Sequence, residues 1–367
     1  MAGRLRAVSL FSGCGGLDLG FQNAGYEIIL GVDNDPYSAK SHAVNFPDSQ
    51  FFDGSIADFS EHEAQKLVGT DALRDVDVLI GGPPCPPFSK SRFYRTDKPR
   101  AMNDPVGEVT IGGYLETLRW LRPRAFLLEN VAGMAFKVHR ETLEYIVETA
   151  RSLGYRCTMR VLNAADYGVP QIRQRFFIVG TLSGEIEWPA ATHRDPKDEA
   201  SEAPEWATAG SAIGDLDTQE NANDVGHFAG EKHRDLLEQI PPGDNYLFLT
   251  AKRGHPDPKF EWRKRYWSFL LKLSPDLPSW TIQARRSNNM GPLHWRNRIL
   301  RIEEVKRLQS FPDSWYLEGN VERQWRQVGN AVPPLLGEAM ANSIASVLAA
   351  DLNSRAANRA LSSTEQT

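Results

Sequence analysis

The chain has 367 residues, 41% hydrophobic and 24% charged, with 42 Lys and Arg against 47 Asp and Glu for a net charge of -5. That balance is ordinary for a soluble globular protein able to bury a substantial core in one large domain or two. No apolar run reaches the roughly eighteen residues of a membrane span, no signal peptide precedes the first strand-like segment, and three widely spaced cysteines without a CxxC pair argue against a disulfide framework or a zinc site.

The first half of the chain alternates strand and helix signals. "RAVSLF" (6–11) is a short apolar run ending in the glycine-rich turn "SGCGG", and a helix pattern follows from Leu17 to Ala24. "YEIILGVD" (26–33) predicts a second strand, with Pro36 where a first helical turn would begin. "VDVLIGG" (76–82), "RAFLLENV" (124–131) and "QRFFIVGTL" (174–182) predict further strands, with helices around Tyr114–Leu121 and Glu141–Leu153. Such alternation predicts a mostly parallel sheet covered on both faces.

Beyond Glu185 the pattern breaks, and the charge segregates. Residues 184–245 hold 15 Asp and Glu against 4 Lys and Arg, whereas residues 252–308 hold 14 Lys and Arg against 5 acids. The basic stretch carries Trp262, Tyr266, Trp267, Trp280 and Trp295. Positive charge mixed with flat rings suits a polyanion with stackable bases, although a solvated surface gives the same composition. A helix is predicted within 299–315, ended by Pro312, and a turn then an amphipathic helix over 328–350. The polar tail from Asn353 is predicted to fray.

Two groups of residues carry chemistry. Gly13, Gly15 and Gly16 lie where a strand turns into a helix, and Asp33 ends the next strand, where a carboxylate can accept hydrogen bonds from ribose hydroxyls. The turn lacks the third glycine of a dinucleotide fingerprint, so a turn without a ligand stays open; with Asp33 it favours an adenosine-containing cofactor. In "IGGPPCPPFSKSR" (80–92), Cys85 stands between two proline pairs at a predicted strand end, followed by Lys90, Arg92, Arg95, Lys98 and Arg100, whose charge favours the thiolate. "LLENV" places Glu129 at another strand end, and "QIRQR" supplies Arg173 and Arg175.

Together these segments resemble a DNA (cytosine-5)-methyltransferase. "FSGCGG", "GGPPCPPFS", "ENV", "QIRQR", "RLQSFP" and "VGNAVPP" appear in that family's order across most of the chain. The resemblance implies an α/β fold, an S-adenosylmethionine-dependent methyltransferase (Rossmann-like) sheet with a smaller target-recognition domain. The boundaries expected are 1–189 for the catalytic and cofactor-binding domain, completed by 321–352, then 190–320 for target recognition and 353–367 for a flexible tail.

By the same resemblance Cys85 adds to C6 of cytosine, Glu129 contacts the N3 edge, Arg175 holds the O2 carbonyl with Arg173 beside it, and no metal is needed. S-adenosyl-L-methionine, leaving as S-adenosyl-L-homocysteine, is expected against Phe11, Gly13, Gly15, Gly16, Leu17, Asp33, Asn34, Ser55, Ile56, Pro83, Asn330 and Ala331. DNA is expected against Ser89, Lys90 and Arg92 in a closing loop, and against Arg285, Arg286, Arg296 and Arg298 in the basic segment. The chain departs from the family in Pro86, where Gln is common, and in Ser55, where Asp is usual; a transfer-RNA-methylating relative would carry a Cys-Phe-Thr signature, which is absent. A short lead before Leu10 is typical of bacterial restriction–modification enzymes. The expected setting is therefore a cytoplasmic monomer on double-stranded DNA, near the nucleoid, with a cognate restriction endonuclease of the same site as candidate partner.

Overall fold

The computed structural model describes residues 4–84, 104–217 and 229–364, with side chains described as far as 351. The chain divides into two compact units, Met1–Leu162 with Gln174–Ala190 and Leu336–Thr367, and Asn163–Arg173 with Ala191–Leu335.

The first unit is built on a seven-stranded sheet in the order β3-β2-β1-β4-β5-β8-β6. Its strands are β1 (Arg6–Leu10), β2 (Glu27–Asp33), β3 (Gln50–Asp53), β4 (Val78–Gly81), β5 (Ala125–Val131), β6 (Arg156–Asn163) and β8 (Gln174–Thr181). The ladders joining β3, β2, β1, β4 and β5 are parallel, and β8 runs antiparallel to β5. The central strands read as unbroken apolar runs because helices cover both faces of such a sheet. Helices of this unit that lie between its strands include α1 (Gly16–Asn23), α2 (Pro36–Asn45), α3 (Glu61–Val68), α4 (Thr70–Arg74), α5 (Pro105–Leu121) and α6 (Arg140–Ser152). Leu10, Leu30, Leu79, Phe126 and Leu128 are buried in one core cluster with Tyr114 of α5. The Tyr114 hydroxyl, inside that core, donates to the carbonyls of Leu79 and Leu127.

From β1 the chain crosses to β2 on one side, and β4 lies on the other side of β1. The carboxyl ends of β1 and β4 therefore flank a point of strand-order reversal, where open α/β sheets leave a crevice for ligands. The turn leaving β1 is tight. Phe11, Gly13 and Gly15 have φ of 55°, 55° and 82°. A Cβ on Gly15 would lie 2.3 Å from the ring of Phe46, so glycine is required there twice over.

Beneath this turn sits a buried polar pair. Asp18, in the first turn of α1, accepts from the Ser9 hydroxyl at 2.5 Å and lies 3.0 Å from Nε2 of His42 on α2. Both side chains are fully buried. Gly31 in the middle of β2 makes the room, since a Cβ there would lie 3.0 Å from His42 Nε2 and 2.8 Å from the Phe51 ring. The contact ties the helix that follows the glycine turn to the helix that follows Asp33.

The second unit has little regular structure. Its parallel pair β7 (Gln171–Ile172) and β9 (Ser279–Trp280) is two residues long. Side chains therefore do the work that ladders do elsewhere, satisfying buried backbone groups one at a time. Gln171 donates to the Leu308 carbonyl and Gln309 donates to that of Val328, at 3.0 and 2.7 Å, while Gln171 Oε1 accepts from the Ile282 amide.

Several elements differ in extent or grouping from the sequence expectations. Residues 163–173 and 321–335 belong to the second unit, because β7 pairs with β9 and Arg173 donates to the carbonyls of Ile282, Gly329 and Ala331. The helix expected within 299–315 spans only Ile302–Leu308, with Ser310 at φ 61° ending its turn. The last helix, Pro334–Thr364, continues through most of the segment expected as a loose tail. Among the described residues no helix is long and apolar enough to cross a membrane.

The Asp18–His42 pair yields a stability prediction. His42→Leu removes a donor from a fully buried carboxylate, which should lower the unfolding free energy by about 2–4 kcal/mol. Urea denaturation followed by circular dichroism measures this, and a change within about 0.5 kcal/mol, the range of an uninvolved surface position, would contradict it.

Candidate active site

Most of the residues expected to act together in the first unit stand at one edge of its sheet. Phe11 to Leu17 follow β1, Asn34 follows β2, Ser55 and Ile56 follow β3 and Pro83 follows β4, all at carboxyl ends of neighbouring parallel strands. Glu129 stands near the carboxyl end of β5. Because β8 is antiparallel to β5, Arg175 near its start returns to the same edge, with Val131 and Arg175 paired in register.

The glycine turn and Asp33 are joined directly. The Gly13 amide donates to one Asp33 carboxylate oxygen and the Asp35 amide to the other, both at 2.9 Å. Burial pushes the Asp33 carboxyl above its ordinary range, opposed by these two bonds. Asp33 thus organises the turn through its side chain, while its carbonyl accepts from the Gly54 amide. Among the described residues, nothing lies within 4 Å of the place a Cβ on Gly13 would take, and no side chain caps α1. Open space beside an uncapped helix start suits an anionic group. Leu17 and Ile56 are core side chains, and Ser55 Oγ accepts from the Ala57 amide.

The second cluster centres on a carboxylate. Glu129 Oε1 and Arg175 Nε are 2.8 Å apart, and both side chains are about nine-tenths buried or more. Arg175 also donates to the Gln174 carbonyl. Gly82 gives Glu129 its seat, since a Cβ there would lie 2.8 Å from Oε2. Asn130, fully buried, donates to the Pro83 carbonyl at 3.0 Å and its own Oδ1 accepts from the Val131 amide. The segment entering the Cys85 motif is therefore held to the strand that carries Glu129. Cys85 itself, with Ser89, Lys90 and Arg92, lies outside the described residues. Cys14 and Cys157 are the cysteines among the described residues, and neither is in a disulfide. Burial pushes Cys14 far up and Cys157 to about 11, so neither is a thiolate near neutral pH.

Arg173 makes hydrogen bonds to backbone within the second unit. Its guanidinium is buried and committed to the carbonyls of Ile282, Gly329 and Ala331, so its contacts support a clamp on the turn that carries Asn330 and Ala331. Gly329 in that turn has no room for a side chain, a Cβ meeting the Gln283 carbonyl at 2.6 Å. Gly82, Asn130 and the Asp18–His42 pair were not among the expected site residues. The doubled glycine before the proline–cysteine run was a readable signal for the first; the others depend on distant partners.

The four arginines expected to read DNA separate into different environments. Arg298 is buried and makes a two-pronged pair with Glu304 at 2.8 and 2.5 Å, beside His294, whose pKa burial and then Arg298 push down to about 3. Its charge is committed to Glu304 inside the second unit, whereas the sequence expectation gave it to DNA. Arg296 pairs with Asp217 at 2.6 Å, and Asp217 also accepts from the Trp295 indole. Arg286 is mostly buried and 3.3 Å from Glu322. Arg285 is exposed.

An open α/β sheet with a glycine turn at its switch point and a buried carboxylate–arginine pair on the adjoining strand ends defines a group-transfer enzyme of the Rossmann-like methyltransferase class. The C-5 cytosine-specific DNA methylase family matches residues 5–346, and the chain belongs to it. The protein is a DNA (cytosine-5)-methyltransferase. It is similar to the Type II methyltransferase M.SacI of Streptomyces achromogenes, 34% identical over 93% of this chain and 92% of that one. It is also similar to M1.HphI of Haemophilus parahaemolyticus, at 33% over 93% and 86%. Among solved structures, the Entamoeba histolytica methyltransferase EhMeth shares the fold with a TM-score of 0.60 at 15% identity, over 94% of this chain and 99% of that one. The S. pombe Dnmt2 methyltransferase does so at 0.55 and 17%, over 94% and 98%.

The contrast among the arginines can be tested. Arg298→Ala should lower the unfolding free energy by about 3–5 kcal/mol by stranding Glu304, whereas Arg285→Ala should leave it within about 0.5 kcal/mol. Denaturant titration of both variants decides the matter; equal stabilities would contradict the assignment.

Proposed function

We propose that this enzyme transfers a methyl group to C5 of a flipped-out cytosine within a short duplex sequence, protecting host DNA in a Type II restriction–modification system. The Glu129–Arg175 pair, seated over Gly82 beside the Cys85 motif, carries the reading of the site. Similarity to two named Type II methyltransferases along nearly their whole lengths supports the biological setting. In this reading the enzyme works in the cytoplasm on nucleoid DNA, alongside a cognate endonuclease of the same site.

S-adenosyl-L-methionine, when bound, supplies an electrophilic methyl group. The open, uncapped turn at Gly13 to Leu17, with Phe11, Asp33 and Asn34 around it, fits a ligand with an anionic end and polar hydroxyls. Ser55, Ile56 and Pro83 complete this set in the first unit.

Cytosine C5 is a poor nucleophile. The Cys85 thiolate adds to C6, and the displaced π electrons make C5 enamine-like. Glu129 stabilises the base at N3 by sharing a proton there, and Arg175 donates to the O2 carbonyl as negative charge gathers on it. The buried ion pair fixes both groups before substrate arrives, so little reorganisation is left for the reaction itself. Loss of the C5 proton and expulsion of Cys85 then restore the aromatic ring. A base cannot be reached inside the stack, so it must leave the duplex first.

The nucleophile has a direct test. A duplex carrying 5-fluorocytosine at the target, located first by bisulfite sequencing, should give a denaturation-resistant adduct with the wild-type enzyme. Fluorine at C5 cannot leave as a proton, so the thioether persists. Cys85→Ser should give no adduct, and trapping at the wild-type level would remove Cys85 from this role.

A further inference from the structure

The second unit shows an aromatic cluster at its surface. Tyr266 is 78% exposed, Trp267 46% and Trp280 37%, and the rings of Trp267 and Trp280 meet edge to face at 4.4 Å. Large rings left in water over neighbouring positions mark an interaction surface far more often than a lone exposed side chain does. The loop that presents them is also held in place from below. Buried Tyr246 donates its hydroxyl to the Arg265 carbonyl at 2.8 Å and accepts from the Arg265 amide at 3.2 Å. Buried Asn245 donates to the Trp267 carbonyl at 2.8 Å. Arg263 starts the loop at φ 58°, in the left-handed region that a branched-free side chain enters at some strain. Two buried polar groups therefore hold the backbone on both sides of Tyr266.

The charge around the cluster selects the partner. Arg263, Lys264 and Arg265 precede Tyr266, and all three are exposed. Arg265 lies over the Phe269 ring at 5.4 Å and Arg263 over Trp262 at 5.7 Å, with Lys252 on the same indole at 4.7 Å. The nearby acid on this loop is Glu261, paired with Lys264 at 3.8 Å in full solvent contact, an interaction of little worth. A ring on a rigid stem with cations beside it matches the phosphate-and-base surface of DNA.

We propose that Arg263–Trp267 with Trp280 is a DNA-contacting face, on which Tyr266 stacks against a base of the substrate duplex while the cations hold phosphates. The assignment rests on the reading of the enzyme as one that acts on duplex DNA, and it names a stacking contact that was not among the arginine contacts expected from sequence. Tyr266 needs its ring for this and not its hydroxyl. The side chain is a determinant of grip and of local base-pair opening near the target, separate from the chemistry at Glu129.

The test uses the full chain with S-adenosyl-L-homocysteine and a target duplex carrying 2-aminopurine in turn at each position around the methylated cytosine. Tyr266→Leu should weaken binding roughly ten- to a hundredfold, and Tyr266→Phe should keep nearly wild-type affinity. One 2-aminopurine position should change its emission with wild type and Tyr266→Phe and not with Tyr266→Leu. The salt dependence of binding should be the same for all three, because no phosphate contact has been removed. Equal affinities for wild type and Tyr266→Leu would overturn the proposal. So would a reduced salt slope without any emission change, which would indicate backbone contact alone. A Tyr266→Leu effect confined to oligomeric mass by light scattering would instead make the cluster an interface between two copies. Wild-type enzyme that failed to bind or methylate duplex would strike at the reading beneath, not at this residue.

Discussion

The arrangement depends on one reversal in the sheet. β8 runs antiparallel to β5, so the first residues of one strand lie against the last residues of the other. That register is what brings Arg175 to Glu129 at a strand end instead of leaving the two charges at opposite edges. Burying an ion pair repays its desolvation only when geometry and further hydrogen bonds are good, and here Arg175 also holds the Gln174 carbonyl. A pair that contributes little net stability can still fix two side chains in place, and this one does so at the carboxyl end of β5.

The neighbouring features make sense as accommodations to that pair and to the turn beside it. Gly82 leaves space for the Glu129 carboxylate, and Asn130 fastens the Pro83 carbonyl, so the chain enters the Cys85 motif from a defined point. On the other side of β4, the turn after β1 uses positive φ at three residues and a carboxylate, Asp33, that takes backbone donors from both directions. Asp18 and His42 lock the helices behind it. The first unit thus gathers the glycine turn, Asp33 and the Glu129–Arg175 pair along one sheet edge.

Much of this edge was legible in the sequence, for a physical reason. Buried parallel strands must be apolar runs, and a tight turn into a helix must use glycine, so β1, β2, β4, β5 and the turn at Gly13–Gly16 announce themselves locally. What the sequence hides is partner choice. Arg298 and Arg285 look alike as letters, yet one is spent on Glu304 in the interior and the other is exposed. Arg173 and Arg175 sit two residues apart, yet the first clamps carbonyls of Ile282 and Gly329 while the second meets Glu129. The irregular second unit was the least readable part, because its backbone is satisfied by side chains such as Gln171 and Gln309, reaching segments far along the chain.

The central claim is that Glu129 and Arg175 act as one unit on the substrate base. A double-mutant cycle on the single-turnover methylation rate tests it most directly, with Glu129→Gln, Arg175→Met and both together, at saturating cofactor and DNA. If the pair is a unit, the double variant will be scarcely slower than the slower single variant, with a coupling of roughly 1.4 kcal/mol or more, a factor of about ten. Losses that simply multiply would show two independent contributions and would contradict the account.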